Sequence, residues 1–147
     1  MNLSDHFTLE EMTLSSTALR LGIDNTPSAE VIAQLTRLAC DILEPARALL
    51  DCYMHTDSGY RSPALNAAVG GVPNSAHVWG GAADIIPVGY DLRVAFDRLR
   101  ASAIPFDQLI IEANAWLHHG MAPPGATPRR EFLIATRISG GWTYAPA

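Results

Sequence analysis

Three residues whose side chains could do chemistry lie in one stretch of the chain, between positions 58 and 86. They are Arg61, His77 and Asp84, and the stretch is otherwise almost uncharged. A Gly-Gly pair lies between each of them and the next, and glycines break helices and let the backbone approach a ligand closely. A neutral imidazole and a carboxylate on such a bent connection can converge on one metal ion, and zinc is the usual ion for mixed His and Asp ligands. The stretch therefore predicts part of a zinc site.

Two ligands do not complete a metal site, so a third must come from another part of the chain. The candidates are His118 and His119, which are adjacent in the sequence. Alternate residues of a strand face one side of the sheet. In an extended segment that side would carry Glu112, Asn114, Trp116 and His118. His119 would then point away, into solvent or behind the site, so alternation favours His118 as the third ligand.

Two motifs contain these candidate ligands. The pattern S-x-H-x-x-G-x-A-x-D is formed by Ser75, His77, Gly80, Ala82 and Asp84, and the pattern W-x-H by Trp116 and His118. Together with SGYRSPALN before them, these motifs resemble those of the zinc D-alanyl-D-alanine carboxypeptidase/endopeptidase family, whose members cut bacterial cell-wall peptides. The opening segments SDHFTLEEM and GIDNTPS also resemble the short phage and prophage members of that family. The resemblance therefore covers nearly the whole chain.

The resemblance implies a bound metal ion and its ligands. One Zn²⁺ per chain is expected, held by His77, Asp84 and His118. The W-x-H pattern selects His118 rather than its neighbour, in agreement with strand alternation. Three protein ligands leave one coordination position open, which is typical of a catalytic rather than a structural zinc site.

The resemblance also implies a catalytic carboxyl group near the zinc. Amide hydrolysis needs a group that takes a proton from water and delivers it to the leaving amine. Glu112, six residues before His118, is the expected residue, because the short family members resemble this chain in carrying Glu there. Many longer members place the acid three residues before the ligand, where this chain has Ala115. Asp107 is the alternative, although its place at a turn before a strand favours a solvated carboxylate.

Arg61 and Ser75 are the candidate substrate-binding residues. The resemblance implies that Arg61 faces the substrate, and a guanidinium can hold a carboxylate through two parallel hydrogen bonds. A surface salt bridge is the alternative for Arg61. Ser75 either hydrogen-bonds the substrate or caps a turn. Trp79 and Trp116 would line a groove or fill the core, and the core is the default for such aromatic residues.

Taken together, these residues predict a zinc metallopeptidase that hydrolyses amide bonds in peptidoglycan stem peptides. It would be a D-alanyl-D-alanine carboxypeptidase or an L-alanyl-D-glutamate endopeptidase of the endolysin type, and the sequence leaves this choice open. The alternative is a non-catalytic, zinc-containing module of the same fold that binds cell-wall peptides, by analogy with hedgehog domains. A carboxylate beside the open zinc position distinguishes the two classes, and Glu112 favours catalysis.

Composition limits the partners and the location of the protein. The chain has 147 residues, enough for one domain spanning 1–147, and its net charge of −5 argues against nucleic acid as a partner. The N-terminus shows no secretory signal, and no apolar run reaches the ~20 residues of a membrane span. We expect a monomer made in the cytoplasm, and the phage resemblance implies release to the cell wall by a partner pore protein. Cys40 and Cys52 are expected to be reduced thiols, at least one of them buried.

The elements that must position these residues mix helices with strands. Helical spacing and capping residues predict helices within 4–14, 29–50 (interrupted near Pro45), 64–69 and 90–103. Alternation and turn residues predict strands at 51–58, 82–87, 106–112, 115–119 and 131–138. Many of the connections are too short for a parallel crossover. The expected fold is α+β, hedgehog/DD-peptidase-like, with a small and largely antiparallel sheet flanked by helices.

Overall fold

A six-stranded sheet and six α-helices form the framework of the computed structural model, which describes residues 1–147. The strands are β1 (Met54–Ser58), β2 (Ala82–Pro87), β3 (Phe106–Glu112), β4 (Trp116–Met121), β5 (Glu131–Ile138) and β6 (Gly141–Pro146). The helices are α1 (Leu9–Thr13), α2 (Ser16–Leu21), α3 (Ala29–Leu38), α4 (Glu44–Leu50), α5 (Pro63–Ala68) and α6 (Leu92–Arg100). A π-helical turn, Ala39–Leu43, joins α3 to α4, and a 3-10 turn, Ala76–Trp79, precedes β2.

The strands lie in the order β1-β2-β4-β3-β5-β6. Neighbouring strands are antiparallel except for β3 and β5, which are parallel. The predicted α+β fold with a largely antiparallel sheet is therefore confirmed. The sequence-based prediction misses β6, although the Gly140-Gly141 pair after β5 is a recognised hairpin signal. None of the helices is both long enough and apolar enough to cross a membrane.

The two faces of the sheet have different surroundings. One face packs against α6 and the helical segment around the π turn, through buried apolar residues that include Ile85 in β2 and Leu117 in β4. Because side chains alternate along a strand, the residues next to these point to the other face. That face carries Asp84, Glu112 and His118. The residues predicted to do chemistry thus lie on the side of the sheet away from the helical layer.

The predicted helix 29–50 is interrupted just before Pro45, as expected. The Glu44 N–H in the π turn bonds to the carbonyl of Ala39, five residues back instead of four. Proline has no N–H, and its ring would clash with the carbonyl four residues earlier in a regular helix. The wider π turn relieves this clash without ending the helical run.

The expectation that at least one cysteine is buried is wrong. Both cysteines are free, Cys40 is exposed and Cys52 is only partly covered. Cys40 lies in the π turn, where its neighbours Ala39 and Ile42 are buried and Cys40 itself faces outward. Membership of an apolar helical pattern therefore did not determine the burial of this position.

Candidate active site and metal centre

His77, Asp84 and His118 form one buried cluster. Each offers a ligand atom, and these atoms all lie within 4.8 Å of one another. Asp84 on β2 and His118 on β4 are direct partners in the antiparallel pair, and His77 comes from the 3-10 turn before β2. The structure therefore brings the three predicted zinc ligands together, two through sheet register and one through a local turn.

The hydrogen bonds of His77 determine which ring nitrogen faces the cluster. Its Nδ1 lies 2.7 Å from the carbonyl oxygen of Gly59, which can only accept, so Nδ1 carries the proton. The other nitrogen, Nε2, lies 3.4 Å from Oδ1 of Asp84. Burial lowers the pKa of His77 more than Asp84 raises it, so the ring is neutral at neutral pH. Two acceptor atoms then face each other, and a cation between them would stabilise this arrangement.

His118 presents its Nδ1 to the same carboxylate. This atom lies 3.1 Å from Oδ1 of Asp84 and 3.7 Å from Oε1 of Glu112. Burial lowers the pKa of His118, but the hydrogen bond and charge of Asp84 outweigh burial and raise the pKa above its ordinary value. Burial likewise opposes ionisation of Asp84, yet the His77 and His118 rings lower its pKa. Two imidazole nitrogens and an ionised carboxylate form a donor set that fits zinc.

Glu112 stands at the end of β3, directly opposite Trp116 in the β3–β4 hairpin. The indole Nε1 of Trp116 donates to Oε2 of Glu112 at 3.1 Å, while Oε1 faces His118. Burial and then the charge of Asp84 raise the pKa of Glu112, against the opposing effects of His118 and Trp116. A carboxyl group with a raised pKa exchanges protons closer to neutral pH, which suits general acid–base catalysis.

Strand alternation predicts that His118 faces the cluster, and it does, but the extended segment on which that prediction rests is not observed. The segment is not continuously extended, because Ala113 and Asn114 form a turn with φ values of 52° and 51°. Both residues lie in the left-handed region, and the Ala115 N–H donates to the Glu112 carbonyl across them at 2.9 Å, so they form a tight turn within the three-residue connection of the hairpin. Glu112 and His118 nevertheless share a face of the sheet, because the hairpin pairs Glu112 with Trp116, two residues before His118.

Arg61 lies beside the cluster and is already engaged there. Its Nη2 lies 3.3 Å from Oδ2 of Asp84, and its Nε lies 3.3 Å from Oγ of Ser58. This contact leaves Oδ1 of Asp84 directed at the two histidines. Arg61 therefore forms a salt bridge, but a largely buried one with a predicted metal ligand and not the surface salt bridge of the alternative. Its Nη1 is the part of the guanidinium that stays available to a substrate.

Asn25 holds the loop that carries Arg61. Its Nδ2 donates to the carbonyls of Thr13 and Tyr60, and its Oδ1 accepts from the Ser62 N–H at 2.7 Å. One side chain thus connects the end of α1 to both sides of Arg61. Sequence reasoning missed this residue, because Asn25 lies in a turn-forming segment whose composition does not reveal its distant partners.

Gly59 brings the same loop against α1. A Cβ atom at this position would lie 2.3 Å from the carbonyl oxygen of Met12, so the contact requires glycine. The Tyr60 N–H donates to that same oxygen at 2.7 Å. This close approach positions the Gly59 carbonyl, which orients His77. The glycine is visible in the sequence, but its role depends on α1 and could not be derived from the local pattern.

Two other residues near the motifs lie outside the cluster. Ser75 Oγ accepts from the His77 N–H at 3.3 Å and caps the 3-10 turn, which is the capping alternative. A substrate contact by Ser75 stays a prediction. His119 points to the opposite face of the sheet, as alternation predicts, and is fully buried there against Phe106 instead of reaching solvent.

Asp107, the alternative general base, lies outside the cleft, and of the two tryptophans only Trp116 lines it. Asp107 binds Arg129 through both carboxylate oxygens, at 2.8 to 3.2 Å, and does not line the cleft, so its position does not support a role as general base. Trp79 packs against the core, as expected. Trp116 lines the cleft, so the core default was wrong for this residue.

A cleft of about 670 Å³ opens over the cluster. One end is lined by residues of α2 and β1, and the other by Arg137 of β5 and Trp142 of β6. The cleft therefore crosses the sheet from one edge to the other, with the candidate metal centre between its two ends.

Comparison with known protein families adds independent evidence. The family model described as Peptidase M15 matches residues 5–120 of this chain. The chain belongs to the Peptidase M15 family. M15 peptidases are zinc metallopeptidases that act on peptidoglycan-related peptides, and the buried His77, Asp84 and His118 could hold that metal. No curated protein is a significant match to the chain.

The C-terminal part of this M15 peptidase, residues 121–147, lies outside the family match. It contains β5 and β6. The wall of the cleft formed by Arg137 and Trp142 therefore belongs to a part of the chain about which the family assignment says nothing.

Proposed function

We propose that this M15 peptidase hydrolyses amide bonds in peptidoglycan stem peptides, with Glu112 as the residue that transfers the proton. The position of Glu112 carries the proposal, because its Oε1 lies 3.7 Å from Nδ1 of His118 and its Oε2 is held by Trp116. Burial and the charge of Asp84 also raise its pKa towards the range useful for proton transfer. A module that only binds peptides has no need of such a carboxyl group beside the cluster.

The roles of the individual residues follow from this arrangement. His77, Asp84 and His118 would hold the zinc ion. When bound, zinc supplies Lewis acidity to the scissile carbonyl and to water. Glu112 takes the proton from the attacking water and passes it to the nitrogen of the leaving group. Trp116 holds one oxygen of Glu112, so that the other stays directed at the reacting groups.

Arg61 is proposed to act on both the site and the substrate. Its Nη2 holds Oδ2 of Asp84 and thereby orients the other oxygen of that carboxylate. Its Nη1 can donate to a carbonyl or carboxylate oxygen of the peptide. One free nitrogen offers less than the two parallel hydrogen bonds that a fully free guanidinium can make to a carboxylate.

The extent of the cleft favours an endopeptidase over a carboxypeptidase. Lining residues come from β1 at one edge of the sheet and from β6 at the other. Six strands spaced about 4.8 Å apart span about 24 Å, which is the length of about seven extended residues. Because the cluster lies on β2 and β4, a substrate can extend past it on both sides. Cleavage at an internal bond of a stem peptide, such as an L-alanyl-D-glutamate bond, places substrate residues on both sides of the cluster in this way.

The test is turnover of stem peptides by the zinc-loaded protein, with the products identified by mass spectrometry. We expect internal cleavage, and a loss of about 10²- to 10⁴-fold in rate for Glu112→Gln. Asp107→Asn is the matched control, because it changes a carboxylate outside the cleft and should keep full activity. Zinc content and thermal unfolding of all three proteins confirm that the site and the fold are intact.

Two results would contradict this assignment. A wild-type protein that carries zinc, binds the peptides and cleaves none would be the non-catalytic module. Release of the C-terminal D-alanine alone would instead identify a carboxypeptidase.

A further inference from the structure

We propose that Arg137, stacked on the ring of Trp142, binds a carboxylate of the substrate peptide at a distance from the bond that is cut. The inference rests on the proposed function, because it concerns the substrate of the same cleft. It moves the principal carboxylate contact from Arg61, where the sequence suggests it, to a residue outside the family match.

The two arginines of the cleft differ in their availability. Arg61 already donates through Nη2 to Asp84 and through Nε to Ser58, both at 3.3 Å. Arg137 is exposed and has no carboxylate partner, and its Cζ lies 5.0 Å from the centroid of the Trp142 ring. A guanidinium that stacks on a ring through its face keeps its N–H edges free for a carboxylate. Arg137 is therefore the arginine of the cleft whose N–H groups are free to make two parallel hydrogen bonds to a carboxylate.

Contacts within the sheet hold this arginine in place. Arg137 and Trp142 are direct partners in the antiparallel β5–β6 pair. Trp142 packs edge-on against Trp116, with the ring centroids 6.3 Å apart and the ring planes at 76°. Trp116 in turn donates to Glu112. The carboxylate subsite is thus linked by direct contacts to the proposed catalytic group, and little ordering is needed when a ligand binds.

Sheet register gives the approximate distance between the subsite and the metal centre. Ala135 on β5 is the partner of Glu112 on β3, and Arg137, two residues further along, points to the same face. β5 lies two strands away from β4, about 10 Å across the sheet. His118 is level with Ile110 of β3, so Arg137 also lies four residues, about 13 Å, further along the strands, and the two backbone positions are about 16 Å apart. An extended peptide covers this distance in about five residues. The bound carboxylate therefore belongs to a residue that is not adjacent to the cleaved bond.

A stem peptide offers this chemistry from two sources, its C-terminal carboxylate and the free carboxylate of its glutamyl residue. In cleavage at an L-alanyl-D-glutamate bond the glutamyl residue is adjacent to the cut, so the distance favours the C-terminal carboxylate. Both are planar oxyanions that match the guanidinium fork. The experiment must therefore contain one arm for each source.

We would measure peptide affinity by calorimetry on the zinc-loaded Glu112→Gln protein, in which the peptides are not consumed. One pair of stem peptides carries a free or an amidated glutamyl carboxyl group, and a second pair carries a free or an amidated C-terminus. In one of the two pairs the free acid should bind about 5-fold more tightly, the effect of one exposed charge pair. Adding Arg137→Gln should remove this preference, and raised salt should reduce it.

Arg100→Gln is the matched control. Arg100 is also stacked on an aromatic ring, with Cζ 5.7 Å from the centroid of Phe132, but it does not line the cleft. The Arg100→Gln protein should therefore keep the preference for the peptide with the free acid. Trp142→Leu should reduce the preference although Arg137 is present, because the stacking surface is lost.

The outcomes separate this inference from the proposed function. No preference for either acid, no peptide binding, or a preference that survives Arg137→Gln would overturn the inference. A preference lost equally with Arg100→Gln would overturn it as well, because general charge would then be the cause. If Arg137 sets the preference but the zinc-loaded wild type cleaves nothing, the inference stands and the catalytic proposal fails.

Discussion

The indole N–H of Trp116 lies 3.1 Å from Oε2 of Glu112, at the end of the β3–β4 hairpin where the two residues face each other. The bond leaves Oε1 of Glu112 directed at His118, 3.7 Å away. Trp116 is therefore a positioning residue for the proposed catalytic carboxyl group, and the hairpin turn that precedes it determines the geometry of the site.

Trp116→Phe should lower kcat by about 10-fold, because it keeps an aromatic ring in the cleft but removes the donor to a carboxylate. The effect on KM should be smaller, since the ring still lines the cleft. Steady-state kinetics on a cleaved stem peptide separate the two parameters. Zinc content should stay at one per chain. An unchanged kcat would show that Glu112 needs no such support, and a loss of zinc would point to a structural role for the indole.

Replacing His118 should weaken zinc binding, whereas replacing the adjacent His119 should leave zinc binding unchanged. His118→Ala removes a ligand atom and should weaken zinc binding by more than about 100-fold. His119→Gln changes a ring that is buried on the other face of the sheet, so it should keep one zinc per chain while lowering the free energy of unfolding. Metal analysis after gel filtration gives the stoichiometry. If the His119→Gln protein lost zinc and the His118→Ala protein kept it, the ligand assignment would be wrong.

Gly59→Ala should weaken zinc binding although residue 59 is not a ligand. The new Cβ would lie 2.3 Å from the Met12 carbonyl, so the loop must shift and the carbonyl that orients His77 must move with it. Loss of such an orienting partner typically costs about 10- to 100-fold in metal affinity. The measurement is competition with a zinc chelator.

Gly125→Ala provides the control for this substitution. Gly125 has a positive φ, 79°, unlike Gly59, and a Cβ there would meet no atom within 4 Å. It should cost about 1 kcal/mol in unfolding free energy through backbone strain and leave zinc affinity unchanged. Equal losses of zinc affinity in both variants would mean that general destabilisation, and not the Gly59 carbonyl, is responsible.

The ion pair between Asp107 and Arg129 should make stability depend on pH in the acid range. Burial raises the pKa of Asp107, but the hydrogen bonds and charge of Arg129 outweigh burial and hold the pKa below its ordinary value. A carboxyl group with a lowered folded-state pKa contributes stability above the unfolded value of about 3.9 and loses that contribution as the pH falls through the folded pKa.

Asp107→Asn tests this pH dependence. The difference in unfolding free energy between wild type and variant should be present at neutral pH and should shrink below about pH 4. Denaturant unfolding across that range measures it. A difference that is constant with pH would show that the ion pair contributes through contacts and not through charge.

Much of the candidate site could be predicted because its candidate ligands lie in short motifs. The types and spacing of His77 and Asp84 already suit one metal ion, since the bent glycine-containing connection between them is local. The third candidate ligand, His118, followed from a W-x-H motif, although the alternation argument overlooked the turn at Ala113 and Asn114. The α+β order and the interruption before Pro45 were likewise predictable, because hydrophobic period and the missing proline N–H act within a few residues.

Tertiary structure alone decided how these residues are supported and what surrounds them. Asn25 and Gly59 act through contacts with segments far away in the chain, and the hydrophobic periodicity of a segment does not predict such contacts. The engagement of Arg61 by Asp84 likewise depends on where a loop and β2 meet. The cleft wall at Arg137 and Trp142 exists because β5 pairs in parallel with β3 and β6 then pairs with β5. The sequence by itself determined which side chains could hold the metal, because that depends on residue type and short spacing, whereas register and long-range packing decided what stands beside them.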